Sequence, residues 1–318
     1  MNDYLSEIDA RFPVRNSSEQ KDSFRSYALS EADGLGFRRA VREDDGGHVN
    51  LVFSDPASAR VIFTAHYDTP RRSLLPNLML VSNQFLYWAY NLGVVLVMLA
   101  VAVGAAFGAK ALLGLDTERM DARMLMLAVY AVVYFGLFFL VLKGPANKRN
   151  RNDNTSGTAA LLELMRTLGE RPDVAFILFD DEEKGKQGSK AYAKAHPEIR
   201  DNTLIVNLDC VGNGETFVFC ASRKAAEHPL FAALQAQPAR SGLDARFFRP
   251  GRAQMNSDHK SFRRGVGVCA CSHKPLVGYY TGRIHTIRDT VAEPETVRRL
   301  AAALADFAQR QSGGSDPV

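Results

Sequence analysis

Apolar and polar residues recur along the first part of the chain with the spacing of a helix followed by two strands. From Ser18 the residues SEQKDSFRSYALSEADG place apolar side chains near one helical face, and a glycine at position 34 marks the end. The apolar runs at 49–53 and 60–65 are separated by Ser-Asp-Pro, a turn sequence. The pattern therefore predicts a helix over 18–34 and then a pair of short strands.

The second half of the chain alternates between the two spacings. The predicted elements are 157–168 (helix), 174–179 (strand), 189–195 (helix), 203–208 (strand), 266–272 (strand) and 295–311 (helix). Strands and helices in this order favour a mostly parallel sheet with helices on both faces. We therefore expect an α/β fold, with a mostly parallel mixed sheet sandwiched by helices.

Between these two parts the polar pattern disappears. No charged residue occurs over 73–109, and a second uncharged run over 124–142 has 142 − 124 + 1 = 19 residues, close to the roughly 20 that cross a bilayer core as a helix. We expect an inserted two-helix hydrophobic hairpin that contacts the lipid bilayer through residues 73–147. A pair of buried helices, or a dimerising hairpin in a soluble protein, is the alternative.

Charge and cysteine usage predict the setting. Arg71 and Arg72 precede the hairpin and basic residues follow it over 143–151, so the positive-inside rule places both ends in the cytoplasm. The 39 basic and 35 acidic residues are mixed along the chain, and we expect no nucleic-acid partner. The first 20 residues lack a secretory signal, and the four cysteines lack paired spacing. We expect buried, reduced thiols at the cytoplasmic membrane, with the globular domain facing the cytoplasm.

Potential metal ligands follow three of the predicted strands. His66 follows the second strand directly, four acids at 180–183 follow the run VAFILF, and Asp209 follows LIVNL. The carboxyl ends of such strands meet in one crevice, where adjacent acids repel one another unless a cation offsets the charge. Two further candidates, Asp153 and His285, lie in the segments NDNTSG and IHTIRDT. Imidazole and carboxylate ligands suit zinc, and also accept manganese or cobalt.

Each of these segments alone has a plainer explanation as a helix cap, a strand end or a solvated loop. Their combination is specific, because the series resembles metallopeptidase family twenty-eight, a family of aminopeptidases with two catalytic zinc ions, over residues 18–72 and 148–311. The matching segments are HYD at 66–68, DNTSG at 153–157, EEKGKQGS at 182–189, LD at 208–209, SDHKSF at 257–262 and IHTIRDT at 284–290.

The resemblance implies five protein ligands for two zinc ions. His66 and Asp209 would hold one ion, Glu183 and His285 would hold the other, and Asp153 would bridge them. It also implies a cis peptide bond after Asp153.

The same resemblance implies roles for residues that are not ligands. Asp68 would orient His66 through a hydrogen bond. Glu182 would be the general base for a metal-activated water that attacks the scissile peptide bond. Apart from the resemblance, we expect Tyr279 or Tyr280 as an additional donor to the oxyanion.

The function predicted in this way is a dizinc metallo-exopeptidase that hydrolyses N-terminal residues of peptides. Asp68 and Asp153 are 153 − 68 = 85 positions apart, further than in most relatives, so we expect the hairpin to leave the domain near the active-site rim. A carboxypeptidase or deacylase of the related family with a dimerisation domain, and a catalytically silent membrane-anchored binding module, are the alternatives. The predicted domains are 1–72 and 148–318, the two parts of the peptidase domain, and 73–147, the hairpin.

Overall fold

In the described part of the chain, ten strands form one mixed sheet. The computed structural model describes residues 3–312 except 74, 76 and 143. The strands are β1 (Ala40–Asp44), β2 (Val49–Phe53), β3 (Val61–His66), β4 (Met79–Leu80), β5 (Val174–Phe179), β6 (Leu204–Leu208), β7 (Thr216–Ala221), β8 (Ala245–Phe248), β9 (Gly265–Lys274) and β10 (Gly278–Thr281). The helices are α1 (Tyr4–Arg11), α2 (Ser18–Gly34), α3 (Gln84–Leu113), α4 (Met120–Leu142), α5 (Gly157–Leu168), α6 (Gln187–Ala195), α7 (Pro197–Asn202), α8 (Arg223–Ala226), α9 (Pro229–Ser241) and α10 (Pro294–Ser312).

The middle of the sheet is parallel, and its edges are antiparallel except for the parallel pair β7–β8. The strand order is β1-β2-β5-β3-β6-β9-β10-β4, with β7 paired to both β9 and β8. The pairs β5–β3, β3–β6 and β6–β9 are parallel, so the carboxyl ends of these strands lie at one edge. The outer pairs β1–β2 and β10–β4 are antiparallel. The predicted α/β fold is confirmed, with its parallel strands at the centre of a mixed sheet.

Helices cover both faces of the sheet, and the central strands are therefore buried on both sides. All side chains of β5 are buried, which explains why its sequence VAFILF is an unbroken apolar run rather than an alternating one. Phe176 and Leu178 belong to the core formed with α1, α2, α5, α9 and α10. Ile177 and Phe179 face the other side and pack in a core that contains Tyr192 of α6.

The strongest local patterns predicted their elements well. α2 has the predicted bounds, and its capping box explains the start. The side chain of Ser17 accepts a hydrogen bond from the backbone N–H of Gln20, whose side chain bonds back to the backbone of Ser17. The predicted helix 157–168 and strand 174–179 are also confirmed. β3 extends one residue further than predicted and ends on His66.

Several short elements carry no pattern that predicts them. β1 is a largely exposed edge strand of sequence AVRED, because an edge strand needs few buried side chains. β4 has two residues and β8 has four, too few for alternation to be distinguished from a loop. α1 is stabilised by Asp3, which accepts a hydrogen bond from the backbone N–H of Leu5, and by burial of Leu5 and Ile8.

The uncharged segment forms the two longest helices described. α3 and α4 pack against each other, and each is long and apolar enough to cross a membrane by length and composition. Only 17% of the most apolar window of α3, and 0% of that of α4, is buried within the molecule. The small residues Ala102, Ala106 and Ala122 are among the few buried positions of the pair. The predicted pair of apolar helices is confirmed, and its insertion into a bilayer stays a prediction.

Both ends of the hairpin segment are held at one place beside the sheet. The backbone N–H of Arg72 donates to the carbonyl of Pro145 at 2.8 Å, and that of Ser73 donates to the carbonyl of His285 at 2.7 Å. β4 precedes α3 and pairs with β10, so the segment 73–147 adds a strand to the sheet as well as the two helices. The hairpin therefore joins the domain next to a candidate metal ligand.

Candidate metal centre

The carboxyl ends of the parallel strands bring the candidate ligands together. His66 is the last residue of β3, Asp209 follows β6 directly, and Glu183 lies in the loop after β5. Because β3 pairs in parallel with both β5 and β6, these three segments leave the sheet side by side. Asp153 lies in the kinked segment Arg151–Ser156 before α5, where its own backbone is not helical, and His285 lies in the loop before α10. Five side chains from distant parts of the sequence therefore meet at one edge of the sheet.

Asp153 lies at the centre of this cluster. Its Oδ1 is 3.6 Å from Nε2 of His66, and its Oδ2 is 3.0 Å from Nε2 of His285. Oδ1 of Asp209 is 3.9 Å from the same nitrogen of His66. Oε2 of Glu183 is 3.5 Å from that of His285. The cluster thus consists of two groups that share Asp153, and the ligand role of each residue stays a prediction.

The spacing of these donor atoms fits a metal ion. Three of the four separations, at 3.5–3.9 Å, are longer than ordinary hydrogen bonds, and the fourth, between Asp153 and His285, is 3.0 Å. Two ligands about 2 Å from one tetrahedral ion lie roughly 3.3 Å apart, which is within this range. His66, Asp153 and Glu183 place ligand atoms within 4.8 Å of one another. Cys210 also lies within reach of Asp153 and Asp209, but burial raises the pKa of its thiol well above the usual value, which disfavours the thiolate.

The charges of the cluster also fit a metal ion. Burial raises the pKa of Glu183 to about 8, although His285 beside it opposes the shift. Burial alone would lower the pKa of His285, but the carboxylates of Glu183 and Asp153 raise it to about 10. Carboxylates at such short range repel one another, and a divalent cation would offset that repulsion. The residues present therefore suit zinc in both their donor atoms and their charge.

Asp68 connects His66 to the loop that carries the two glutamates. Nδ1 of His66 lies 3.2 Å from the backbone carbonyl oxygen of Asp68 and 3.3 Å from its Oδ1, which leaves Nε2 of the ring facing Asp153. The same carboxylate accepts the backbone N–H of Glu182 at 3.0 Å and that of Glu183 at 3.1 Å. One buried residue therefore contacts the imidazole with its carbonyl and its carboxylate, and its carboxylate fixes the glutamate loop relative to that ring.

The glutamate loop turns sharply before α6, and two glycines permit the turn. Gly185 has a φ of +94°, which glycine adopts without strain. A Cβ at Gly188 would lie 2.3 Å from the carbonyl oxygen of Asp180, so the close approach of the two backbones requires glycine. Glu182 and Glu183 lie just before this turn and both line the cavity described next.

Two cavities open on the cluster. The smaller has a volume of about 240 Å³ and is lined by Asp153, Glu182, Glu183, Asp209 and His285 among others. The larger, of about 360 Å³, also has Glu183 and His285 in its wall. The two cavities therefore meet at the cluster.

Burial raises the pKa of Glu182 well above its usual value, although a nearby imidazole opposes the shift.

The sequence profile of peptidase family M28 matches residues 144–308, which is 308 − 144 + 1 = 165 of the 318 residues. This span contains the last four of the five candidate ligands along the chain. The chain belongs to peptidase family M28. The match supports the first of the two related families considered from the sequence. No curated protein sequence matches the chain.

Solved structures share the fold of this M28 peptidase. A glutaminyl cyclase from Porphyromonas gingivalis is 14% identical with a TM-score of 0.58, and the alignment covers 97% of each chain. A zinc-dependent exopeptidase from Parabacteroides distasonis is 15% identical with a TM-score of 0.58, over 96% of this chain and 95% of that one. The LapA aminopeptidase from Legionella pneumophila is 14% identical with a TM-score of 0.57, over 98% and 70%. These similarities establish the fold. Membership of family M28 indicates that the chain is a peptidase-type hydrolase.

Asp289 holds the central segment of this M28 site, and the sequence patterns did not single it out. Its side chain is buried, Oδ1 accepts the backbone N–H of Asn152, and Oδ2 accepts that of Asp153, both at 3.0 Å. Burial raises the pKa of Asp289 to about 8, and the charge of Asp153 adds to the shift. The peptide bond between Asp153 and Asn154 is cis, as expected. Asp289 belongs to the segment IHTIRDT, but no spacing rule gave it a role.

Two of the four acids after β5 are balanced by basic residues of α2. The Nζ of Lys21 lies 2.5 Å from a carboxylate oxygen of Asp180 and also bonds to Asp181. Arg25 lies 2.8 Å from the other oxygen of Asp180. All four side chains are at least nine-tenths buried. The charge that predicted a cation at this edge is therefore offset partly by the protein itself, and only Glu182 and Glu183 of the four acids line the smaller cavity.

The proposed tyrosine donors lie away from the cluster. The hydroxyl of Tyr279 accepts a hydrogen bond from Arg246 at 3.2 Å, and neither Tyr279 nor Tyr280 lines the two cavities that contain the candidate ligands. The expectation that they donate to the oxyanion therefore has no support in the geometry. A different tyrosine, Tyr87 of α3, lines the smaller cavity.

Proposed function

We propose that this M28 peptidase is a dizinc metallo-exopeptidase that removes N-terminal residues from peptides. His66 and Asp209 would hold one ion, Glu183 and His285 would hold the other, and Asp153 would be a ligand of both. The position of Asp153 carries the proposal, because its two oxygens face imidazoles from different parts of the chain at 3.6 Å and 3.0 Å. When bound, paired zinc ions supply an activated water and stabilise negative charge on the carbonyl oxygen.

Glu182 moves the proton in this reaction. Its side chain lines the same cavity as the candidate ligands but belongs to neither ligand group. The Glu182 carboxylate takes a proton from the attacking water while the water oxygen bonds to the carbonyl carbon. The same carboxyl group gives that proton to the nitrogen of the departing amine as the C–N bond breaks. One carboxyl group thus acts first as base and then as acid.

Asp68 acts through its neighbours rather than on the substrate. Nδ1 of His66 lies 3.2 Å from the backbone carbonyl oxygen of Asp68 and 3.3 Å from its carboxylate, so Nδ1 donates to Asp68 and Nε2 carries the lone pair that a metal ion needs. The Asp68 carboxylate accepts the backbone N–H groups of Glu182 and Glu183 and so holds the proposed general base and a proposed ligand in fixed positions relative to His66. Removal of Asp68 would therefore affect metal binding and proton transfer together.

We also propose that the enzyme lies in the cytoplasmic membrane. α3 and α4 cross the cytoplasmic membrane and contact lipid, and the peptidase domain lies in the cytoplasm. Large apolar side chains of the two helices support this, since Leu112 is 87% exposed and Val132 is 73% exposed, and a soluble protein rarely leaves so continuous an apolar surface in water. The basic residues on both flanks support the orientation.

Zinc content and hydrolysis test the catalytic part of the proposal. We expect the purified full-length enzyme to bind two zinc ions, to cleave aminoacyl arylamides, to lose activity with a chelator and to regain it with zinc. Glu182→Gln should keep both ions and lose about 10²–10⁴-fold in kcat. Glu198→Gln is the control, because that side chain is 60% exposed and lines neither cavity.

Other results would assign the site differently. Unchanged turnover in Glu182→Gln would remove Glu182 from the mechanism, and zinc without turnover of a broad peptide panel would favour a silent binding module. Since similar structures include glutaminyl cyclases, the panel contains a peptide with N-terminal glutamine. Ammonia release from that peptide without cleavage of any peptide bond would assign cyclisation in place of hydrolysis.

A further inference from the structure

The first turns of α3 form part of the wall around the candidate active site. Tyr87 lines the cavity of about 240 Å³ that contains Glu182. Tyr90 and Val94 line the neighbouring cavity of about 360 Å³, and Val141 near the end of α4 lines it as well. The hairpin therefore supplies side chains to the space a substrate would occupy, rather than only leaving the domain beside it.

The same side chains lie where the hairpin would enter the bilayer. A helix needs about 20 residues to cross the hydrocarbon core. Lys110 is the first charged residue of α3, and 110 − 20 = 90 places the opposite boundary of the core near Tyr90. α4 ends at Leu142, so Val141 reaches the same level from the other helix. Val94 and Val141 thus border both the cavity and the lipid.

Large apolar side chains are exposed around the base of α3. Phe85 is 84% exposed, Trp88 is 63% exposed and Leu276 is 96% exposed. Leu276 lies in the turn between β9 and β10, and its carbonyl accepts a hydrogen bond from the side chain of Asn83, the residue that caps α3, at 2.9 Å. Aromatic residues at this level are typical of the interface between lipid and water. The side of the domain that carries the cavity wall therefore faces the bilayer.

We infer that the substrate is a peptide anchored in the same membrane by an apolar segment that begins a few residues after its amino-terminus. This inference rests on the proposed exopeptidase function. The first residue of the substrate occupies the cavity beside Glu182, and the residues after it pass along Tyr90 and Val94 toward the lipid. The membrane also holds an anchored peptide at a high effective concentration near the site, whereas a soluble peptide is diluted in the surrounding water.

Cross-linking tests this contact without requiring turnover. Photo-leucine, a photoreactive diazirine residue close to leucine in size, replaces Val94, and in a matched variant it replaces Val97, which lies on the same helix and is 64% exposed. The full-length enzyme is placed in phosphatidylcholine–phosphatidylglycerol vesicles with a hexapeptide that continues into an apolar segment of about 20 residues. The first peptide bond of this probe is reduced to an amine so that it is not cleaved.

We expect strong labelling of the anchored probe from position 94 and weak labelling from position 97. Excess soluble hexapeptide with the same reduced bond should lower the labelling from 94, because it competes for the same cavity. Equal labelling from both positions, unaffected by the competitor, would indicate collisions within the lipid and would overturn the inference.

Turnover separates this inference from the proposed function. We expect kcat/KM for a cleavable anchored peptide to exceed that of the soluble hexapeptide by about 10²-fold. Val94→Trp narrows the cavity and should lower kcat/KM for the anchored peptide about tenfold, whereas Val97→Trp should not change it. Equal kcat/KM for anchored and soluble peptides would overturn the inference and leave the proposed function standing. Failure to cleave any peptide, with labelling from position 94 retained, would overturn the proposed function alone.

Discussion

Asp289 accepts the backbone N–H of Asp153 with one carboxylate oxygen and that of Asn152 with the other, each at 3.0 Å. Both N–H groups belong to the turn that carries the central residue of the candidate metal centre. A buried carboxylate that binds this backbone fixes the direction in which the side chain of Asp153 points. Asp289 therefore supports Asp153 as Asp68 supports His66.

We expect Asp289→Asn to weaken zinc binding. Asparagine offers one acceptor oxygen where aspartate offers two, so one buried N–H group would lose its partner. Changes to groups that orient metal ligands typically lower metal affinity by about 10–100-fold. Competition with a chromophoric chelator measures the affinity, and Asp55→Asn is the control because that side chain is 47% exposed. Equal affinity in both variants would show that Asp289 does not position Asp153.

The buried charges behind the site lead to a prediction about stability. Lys21 is 5% exposed and contacts Asp180 and Asp181. We expect Lys21→Met to destabilise the folded enzyme by about 3 kcal/mol, because methionine keeps the volume but leaves two buried carboxylates with one fewer cation. Thermal unfolding in detergent measures the change, and Lys194→Met on the exposed side of α6 is the control. Similar unfolding of the two variants would contradict this account.

The sequence predicted those features of the fold and the site that depend on neighbouring residues and on the order of the strands. The run VAFILF predicts a strand buried on both faces, and its position before the acids places Glu183 at the edge of the sheet. The ligand set came from the resemblance of whole motifs, because a lone His66 or Asp153 has plainer explanations. What the patterns missed are partners far apart in sequence, such as Lys21 with Asp180 at a separation of 159 residues.

A charged residue on an amphipathic helix gives no sign of being buried. Lys21 and Arg25 follow the polar spacing of α2, as solvated residues would, and only the fold brings them to the acids after β5. Arg15 is fully buried and donates to the side chain of Thr155 across 140 residues of sequence, yet the segment FPVRN looks like an ordinary loop. Such contacts depend on tertiary packing, which no local spacing encodes.

We expect His228, which lies away from the site, to make the stability of the enzyme depend on pH. It caps α9, where its Nδ1 accepts the backbone N–H of Leu230 at 3.2 Å. Burial lowers its pKa, and the charges of Arg264 and Arg60 lower it further. Because the folded pKa lies below the unfolded value of about 6.5, the unfolded state binds more protons as pH falls through 6.5, and the folded state loses stability in that window.

We expect His228→Asn to lose less stability than the parent enzyme between pH 7.5 and pH 5.5, since asparagine caps a helix without titrating. Thermal unfolding at the two pH values measures the difference. His273→Asn, at an exposed position of β9, should behave like the parent. A parent-like loss of stability in His228→Asn would show that protonation of His228 does not destabilise the folded state.

The position of the link between α3 and α4 tests the proposed orientation. If both flanks of the hairpin lie in the cytoplasm, Glu118 in the link lies on the extracytoplasmic side of the membrane. Glu198 in the peptidase domain lies on the cytoplasmic side. Both side chains are exposed, at 89% and 60%, and the four native cysteines are buried. Glu118→Cys should therefore react with a membrane-impermeant maleimide in spheroplasts, whereas Glu198→Cys should react only after permeabilisation. The reverse pattern would invert the orientation, and protection of both until permeabilisation would show that the hairpin does not span the bilayer.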